Sequence, residues 1–195
     1  MRTFVTALVA ALAIPMAASA SPSMAAPVTV GDAASPYYVT PRIGVYMPQS
    51  DDMDAVGFNA GFATDVQVGR RFTENFAAEL GVGWFSSSTD EEAGAQLSLS
   101  TVPVTATAKA ILPLGQAEVY GLGGIGAYFS TVKLETPSGN VSDDDTSLGL
   151  HLGVGAEYAV TSKLSVGLES RYMIAEVSEA SMNGFLLNGG VAFRF

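Results

Sequence analysis

From Val39 to the last residue, apolar side chains alternate with polar or small ones in eight segments, the period of a strand whose two faces meet different surroundings. In the first, Val39, Pro41, Ile43, Val45 and Met47 oppose Thr40, Arg42, Gly44 and Tyr46. The second sets Phe58, Ala60, Phe62, Val66 and Val68 against Asn59, Gly61, Asp65, Gln67 and Gly69. In the third, Phe76, Ala78, Leu80, Val82 and Trp84 oppose Glu79, Gly81 and Gly83. The fourth puts Val102, Val104, Ala106, Ala108 and Ala110 opposite Thr105, Thr107 and Lys109. Upstream, Leu97 and Leu99 fall out of phase with that apolar set, which predicts a bulge near Ser100 to Val102. The fifth, about 118–130, is glycine-rich with a weak phase. The sixth is the clearest: Leu148, Leu150, Leu152, Val154, Ala156 and Tyr158 oppose Gly149, His151, Gly153, Gly155 and Glu157. The seventh alternates Leu164, Val166, Leu168, Tyr172 and Ile174 with Ser165, Gly167, Glu169 and Arg171. The eighth sets Phe185, Leu187, Val191, Phe193 and Phe195 against Asn188, Gly190 and Arg194.

The connections alternate as well. Those at 70–75, 112–117 and 160–163 are short, whereas 48–57, 87–95, 131–145 and 175–183 are longer and polar. Short turns at one end and long loops at the other predict an all-β fold, an eight-stranded antiparallel up-and-down transmembrane β-barrel. An even strand count brings both ends of the barrel to the side of the short turns.

Alternation by itself fits a soluble barrel, apolar inside, equally well; the glycines and charges decide. Gly44, Gly61, Gly69, Gly81, Gly83, Gly149, Gly153, Gly155, Gly167 and Gly190 all lie on the polar face. Glycine weakens a water-exposed strand, but it leaves room in an eight-stranded interior, which is just wide enough for side chains. That face also carries Arg42, Lys109, Arg171 and Arg194 against Asp65, Glu79, Glu118, Glu157 and Glu169, a set able to pair as buried charges do. The apolar face carries Phe76, Trp84, Tyr158, Tyr172 and Phe195 near its ends, as an interfacial girdle would.

Composition sharpens this picture. The chain is 48% hydrophobic and 14% charged, with mean hydropathy +0.31, yet beyond the N-terminus no run approaches the ~20 apolar residues of a membrane helix. A net charge of −10 and a pI near 4.3 argue against nucleic acid as a partner. No cysteine is present, so disulfides contribute nothing. Arg2, the apolar run Phe4 to Ile14, Pro15 and Ala18-Ser19-Ala20 have the layout of a secretory signal peptide over 1–20, with Ala26 as the alternative cleavage residue. Residues 21–36 are Ser-, Ala-, Pro- and Gly-rich and read as a flexible leader, which leaves 37–195 for the barrel.

Several stretches carry a family likeness: Gly69-Arg70-Arg71-Phe72-Thr73-Glu74-Asn75-Phe76 running on to Gly83, Thr101 to Lys109, Gly155-Ala156-Glu157-Tyr158 and Leu168-Glu169-Ser170-Arg171-Tyr172. With the C-terminal segment they resemble the OmpA-type and opacity-type family of small outer-membrane barrels. The resemblance implies a bacterial outer-membrane location, exposed to lipids and lipopolysaccharide. It further implies that Asn188, Gly190, Phe193 and Phe195 form the terminal signal read by the barrel assembly machinery. Function in such a family lies in variable loops and is not fixed by the fold.

Little in the chain points to catalysis. His151 is the single histidine, and a lipid A deacylase built on Ser, His and an acid would need it open to lipid at the outer rim. It shares the Gly and Glu face, and Gly153 stands where a His-x-Ser pattern would want serine. The long loops are acidic: Asp51, Asp52, Asp54, then Asp90, Glu91, Glu92, then Glu135, Asp143, Asp144, Asp145, and finally Glu176 and Glu179. No spacing among them matches a calcium loop, so they read as a solvated, repulsive surface, and neither cofactor nor metal is expected. Their acidity also argues against gripping heparin-like polymers. The reading is a non-enzymatic barrel serving envelope structure or surface interaction with a host or surface ligand. An adhesin or immune-evasion barrel, a narrow small-molecule conduit and a lipid A hydrolase are its rivals.

Overall fold

The structure, a computed structural model, describes residues 36–49, 57–90, 96–136, 139–177 and 180–195. The proposed signal and most of the leader lie outside them, as do Asp51, Asp52, Asp54, Glu91, Glu92 and Glu179. The strands are β1 (Tyr37–Pro48), β2 (Gly61–Arg71), β3 (Phe76–Ser88), β4 (Gln96–Leu114), β5 (Ala117–Thr136), β6 (Gly139–Ala159), β7 (Leu164–Val177), the two-residue β8 (Ala180–Ser181) and β9 (Gly184–Arg194). Apart from β8, which pairs only with the end of β7, each strand is antiparallel to two neighbours. The ring closes where β1 meets β9. Closure removes every sheet edge within the wall, and hydrocarbon, which offers no hydrogen-bond partners, requires that.

Register fixes the shape. The row of paired residues starting at Tyr37 passes Arg70, Ala78, Ala108, Gly123, Leu152, Tyr172 and Phe185 and returns to β1 at Met47, ten residues further along. A stagger of ten over eight strands gives a tilt in the ~35–45° range and an interior that side chains can fill.

The short turns are made by local chemistry. Gly115 takes a φ of 75° in the two-residue turn joining Leu114 to Ala117, a conformation glycine adopts without a steric cost. In the other two, the Thr73 and Thr161 hydroxyls accept hydrogen bonds from the Asn75 and Lys163 amides at 3.2 Å. Asn75 also donates its side-chain amide to the Ile111 carbonyl at 2.9 Å, tying this turn to the next hairpin. Both chain ends of the barrel lie at this rim, where the Phe195 amide donates to the Tyr37 carbonyl.

The predicted faces hold along the wall in every strand but β5, whose phase is weak, and the upstream part of β4. Leu80 is 68% exposed, Leu168 66% and Ile43 64%, values that describe a surface made for lipid because a soluble protein does not leave a continuous apolar belt open to water. Aromatic side chains mark its margins. Phe62 and Trp84 stand 6.1 Å apart and Tyr172 and Phe185 4.8 Å apart toward the long-loop rim, while Tyr37, Phe72, Phe76 and Phe195 stand exposed at the other.

Three expectations are corrected. No bulge interrupts β4: its register with β5 is continuous from Gln96 to Leu114, and with β3 it keeps one offset from Ser98 to Ala110, only Val102 and Pro103 being unpaired there, so no extra residue is inserted. Leu99 simply faces inward, 4% exposed, among other apolar side chains. The 131–145 stretch is not a loop, because β5 and β6 continue as a paired hairpin from Thr131↔Asp144 to Thr136↔Gly139. Phe58 precedes β2, makes an isolated bridge to Thr89, and packs against the inner apolar cluster instead of facing lipid.

Candidate functional site

Two places are candidates for function, the filled interior and the hairpin beyond the outer rim. The interior is layered. Toward the long-loop end Tyr46, Phe85, Leu99, Tyr128, Met173 and Met182 form an apolar plug, with the Tyr46 and Phe85 rings 4.4 Å apart. A second apolar group, Tyr38, Ala77, Ile111, Tyr120 and Leu122, lines the other half. Charged side chains fill the space between and below them.

Every strand of the ring contributes to that charge. Arg42 on β1 reaches Asp65 of β2 at 3.5 Å, Glu79 of β3 at 3.8 Å and Glu169 of β7 at 3.2 Å. Lys109 on β4 lies 2.8 Å from Glu79, 3.7 Å from Glu169 and 4.0 Å from Glu157 of β6. Arg171 pairs with Glu169 at 2.6 Å. Glu157 links this group to a lower one, in which Arg194 of β9 meets Glu157 at 3.5 Å and Glu118 of β5 at 3.8 Å. Arg194 also donates to the Ser165 hydroxyl.

Neutral donors complete the carboxylates. Tyr38 donates to Glu79 at 2.9 Å and Tyr120 to Glu169 at 3.1 Å, while Gln67 and Asn188 donate to Asp65 at 3.0 and 3.3 Å. The Lys109 ammonium sits 4.0 Å from the Tyr120 ring centroid. The two tyrosines need the glycines: a Cβ at Gly69 would fall on the Tyr38 ring, and one at Gly155 on the Tyr120 ring.

Sequence reading placed Arg42, Asp65, Glu79, Lys109, Glu118, Glu157, Glu169, Arg171, Arg194 and His151 on one face, and the fold brings all ten inside. It missed Arg71, whose guanidinium pairs with Glu118 at 2.9 Å and donates to the Glu74 carbonyl at 2.8 Å. Extending the Gln67, Gly69 alternation by two residues finds it. With Arg71 the described interior holds five acidic and five basic side chains. Buried charge in this quantity is tolerable when it is paired and balanced.

His151 is fully buried, with Nε2 2.9 Å from the Thr107 hydroxyl and no hydrogen-bond partner at Nδ1. A triad histidine would have that second nitrogen held by a carboxylate.

At the outer end, β5 and β6 run 20 and 21 residues. The pairing of β6 with β7 stops at Gly149↔Ala175, so Gly139–Leu148 continue beyond the wall paired on one side, to β5, among the described residues. Asp143, Asp144 and Asp145 belong to this extension, with Asp144 accepting from the Thr131 hydroxyl at 2.7 Å. Asp90 accepts from the Asn59 amide at 3.0 Å beside the β3–β4 connection. The terminal residues divide: Asn188 and Gly190 face inward, and Phe193 and Phe195 outward at 45% and 65% exposure.

A closed wall with lipid-facing side chains outside and a neutralised ionic interior defines a small integral outer-membrane barrel. The profile of the outer membrane protein beta-barrel domain matches residues 4–195, and the chain belongs to that family. Solved structures agree in fold. Neisserial surface protein A is 19% identical with a TM-score of 0.56, the match covering 83% of this chain and 98% of the other. Ail, the attachment invasion locus protein of Yersinia pestis, is 14% identical at 0.53, covering 80% and 97%. OprG of Pseudomonas aeruginosa is 13% identical at 0.58, covering 85% and 98%. Comparison with curated protein sequences gives no match.

Proposed function

We propose that this barrel is non-enzymatic, reaches the bacterial outer membrane by an N-terminal signal peptide, and serves envelope structure and surface interaction through the acidic β5–β6 hairpin. The observation that carries the reading is the hairpin itself. An ion-paired, plugged interior leaves the projecting strands as the part of the fold most available to another molecule. Two of the structural neighbours are a surface protein and an attachment invasion locus protein, which supports a role at the cell surface. Ail has also been solved with a heparin analogue, sucrose octasulfate. The acidity of this chain's hairpin disfavours that ligand class and favours a neutral or basic one. Outer-membrane lipids and lipopolysaccharide surround the wall in this proposal, and the barrel assembly machinery inserts it.

The chain has no cysteine, so single substitutions test the orientation cleanly. Lys133→Cys in the hairpin should react with a membrane-impermeant maleimide on intact cells, and Lys163→Cys in the short β6–β7 turn only after the outer membrane is permeabilised. The reverse pattern would overturn the reading.

A further inference from the structure

Arg70 is the one basic side chain facing outward from the barrel wall among the described residues. Its guanidinium carbon lies 5.5 Å from the Tyr37 ring centroid and 5.3 Å from that of Phe72, and it takes part in none of the interior ion pairs. Two exposed rings at the short-turn rim thus hold a planar cation with its donors free.

From Arg70 a trough climbs the wall. The stagger of ten makes the row Arg70, Ala78, Ala108, Gly123, Leu152, Tyr172 rise from that rim toward the opposite one. The three residues after Arg70 are small, two alanines and a glycine, and Leu80 and Ile125 stand above them as a bank. Two depressions, of about 500 and 690 Å³, share Ala108 and Gly123 and so form one path from Arg70 to Phe185. Six inter-strand steps give it a length of roughly 29 Å, enough for an extended long acyl chain.

We propose that this trough seats one acyl chain of an anionic diacyl phospholipid of the periplasmic leaflet, with its phosphate held by Arg70. This rests on the outer-membrane orientation proposed above. Guanidinium is the side chain best suited to a phosphate, with paired donors in a fixed fork. Location selects the source, since the phosphates of lipid A lie at the opposite rim. A second copy of the barrel fits poorly, because the described outward side chains of the wall include no carboxylate to meet Arg70.

Native mass spectrometry of the folded barrel, extracted from outer membranes and titrated with dipalmitoyl phosphatidylglycerol, tests this. One bound lipid should survive on the wild type. Arg70→Gln should weaken retention by about tenfold, the scale of a charge-assisted hydrogen bond. Gly123→Leu and Gly121→Leu should weaken it comparably with Arg70 intact. Both sites accept a side chain: a Cβ at Gly121 meets nothing within 4 Å, and one at Gly123 meets the flexible end of Leu152 at 3.1 Å. Heat-modifiable migration on a gel checks that each variant is folded. Equal retention by all four proteins overturns the proposal, as does loss in Arg70→Gln with full retention in both filled variants. A preference for lipid A, or a lipid-free dimer, overturns it too. The maleimide labels report orientation separately, so failure here is distinguishable from failure of the outer-membrane reading.

Discussion

Glu169 is the residue on which the interior depends most, because three cations converge on it and Arg171 has no other ion pair among the described residues. Removing it would strand positive charge in a desolvated space, a loss on the order of 3–5 kcal/mol. Glu169→Ala should therefore lower the thermal midpoint of gel heat-modifiability sharply. Arg171→Ala should lower it less, since Arg42 and Lys109 still neutralise Glu169. Lys133→Ala, exposed on the hairpin, should leave it unchanged. Equal loss from Arg171→Ala and Lys133→Ala would contradict the interior assignment. Most of this network was legible in the sequence, because charge and glycine share one phase of the alternation. Its wiring was not. That Lys109 bridges β3, β6 and β7 follows from side chains crossing the lumen, which no spacing along a strand encodes.

Strand phase was the legible property of the elements, and the places where it misled share one cause. Leu97 and Leu99 looked out of phase because apolar side chains were assigned to lipid. The interior near the outer rim is apolar too, and Leu99 keeps the inward phase of Thr101, Thr105 and Lys109 without a bulge. The weak phase of β5 has the same origin, since Leu122 and Tyr128 point inward while Gly121 and Gly123 point outward. The length of the β5–β6 hairpin was hidden for another reason: Gly, Asn and Asp, as at Gly139, Asn140 and Asp143 to Asp145, rank low as strand formers, and pairing with the partner strand outweighs that preference. The plug gives a prediction at this scale. Phe85 is fully buried against Tyr46, so Phe85→Ala should destabilise the barrel by about 3–5 kcal/mol. A drop of that size in the urea midpoint of the reconstituted barrel would establish the plug as a stabilising layer, and no change would mean that the outer end of the lumen is loosely filled.

The whole molecule closes between its first and last strands, so no complete barrel exists until β9 is made. The residues of β9 divide between its two faces. Asn188 faces inward and donates to Asp65, and a Cβ at Gly190 would press on the Arg42 side chain at 2.6 Å. Phe193 and Phe195 face outward and touch little of the interior. If the terminal aromatics act as a recognition signal, Phe195→Ala should reduce the amount of folded barrel in the outer membrane several-fold. The same protein refolded from urea into detergent should unfold within ~0.5 kcal/mol of the wild type, as exposed substitutions do. Asn188→Ala should behave in the opposite sense. Losing a donor to a buried carboxylate costs about 1.5–3 kcal/mol, visible in the refolded protein and independent of the assembly machinery. If Phe195→Ala instead destabilises the refolded barrel as much as Asn188→Ala does, the aromatic terminus is a packing element of the β1–β9 seam and the signal must lie elsewhere.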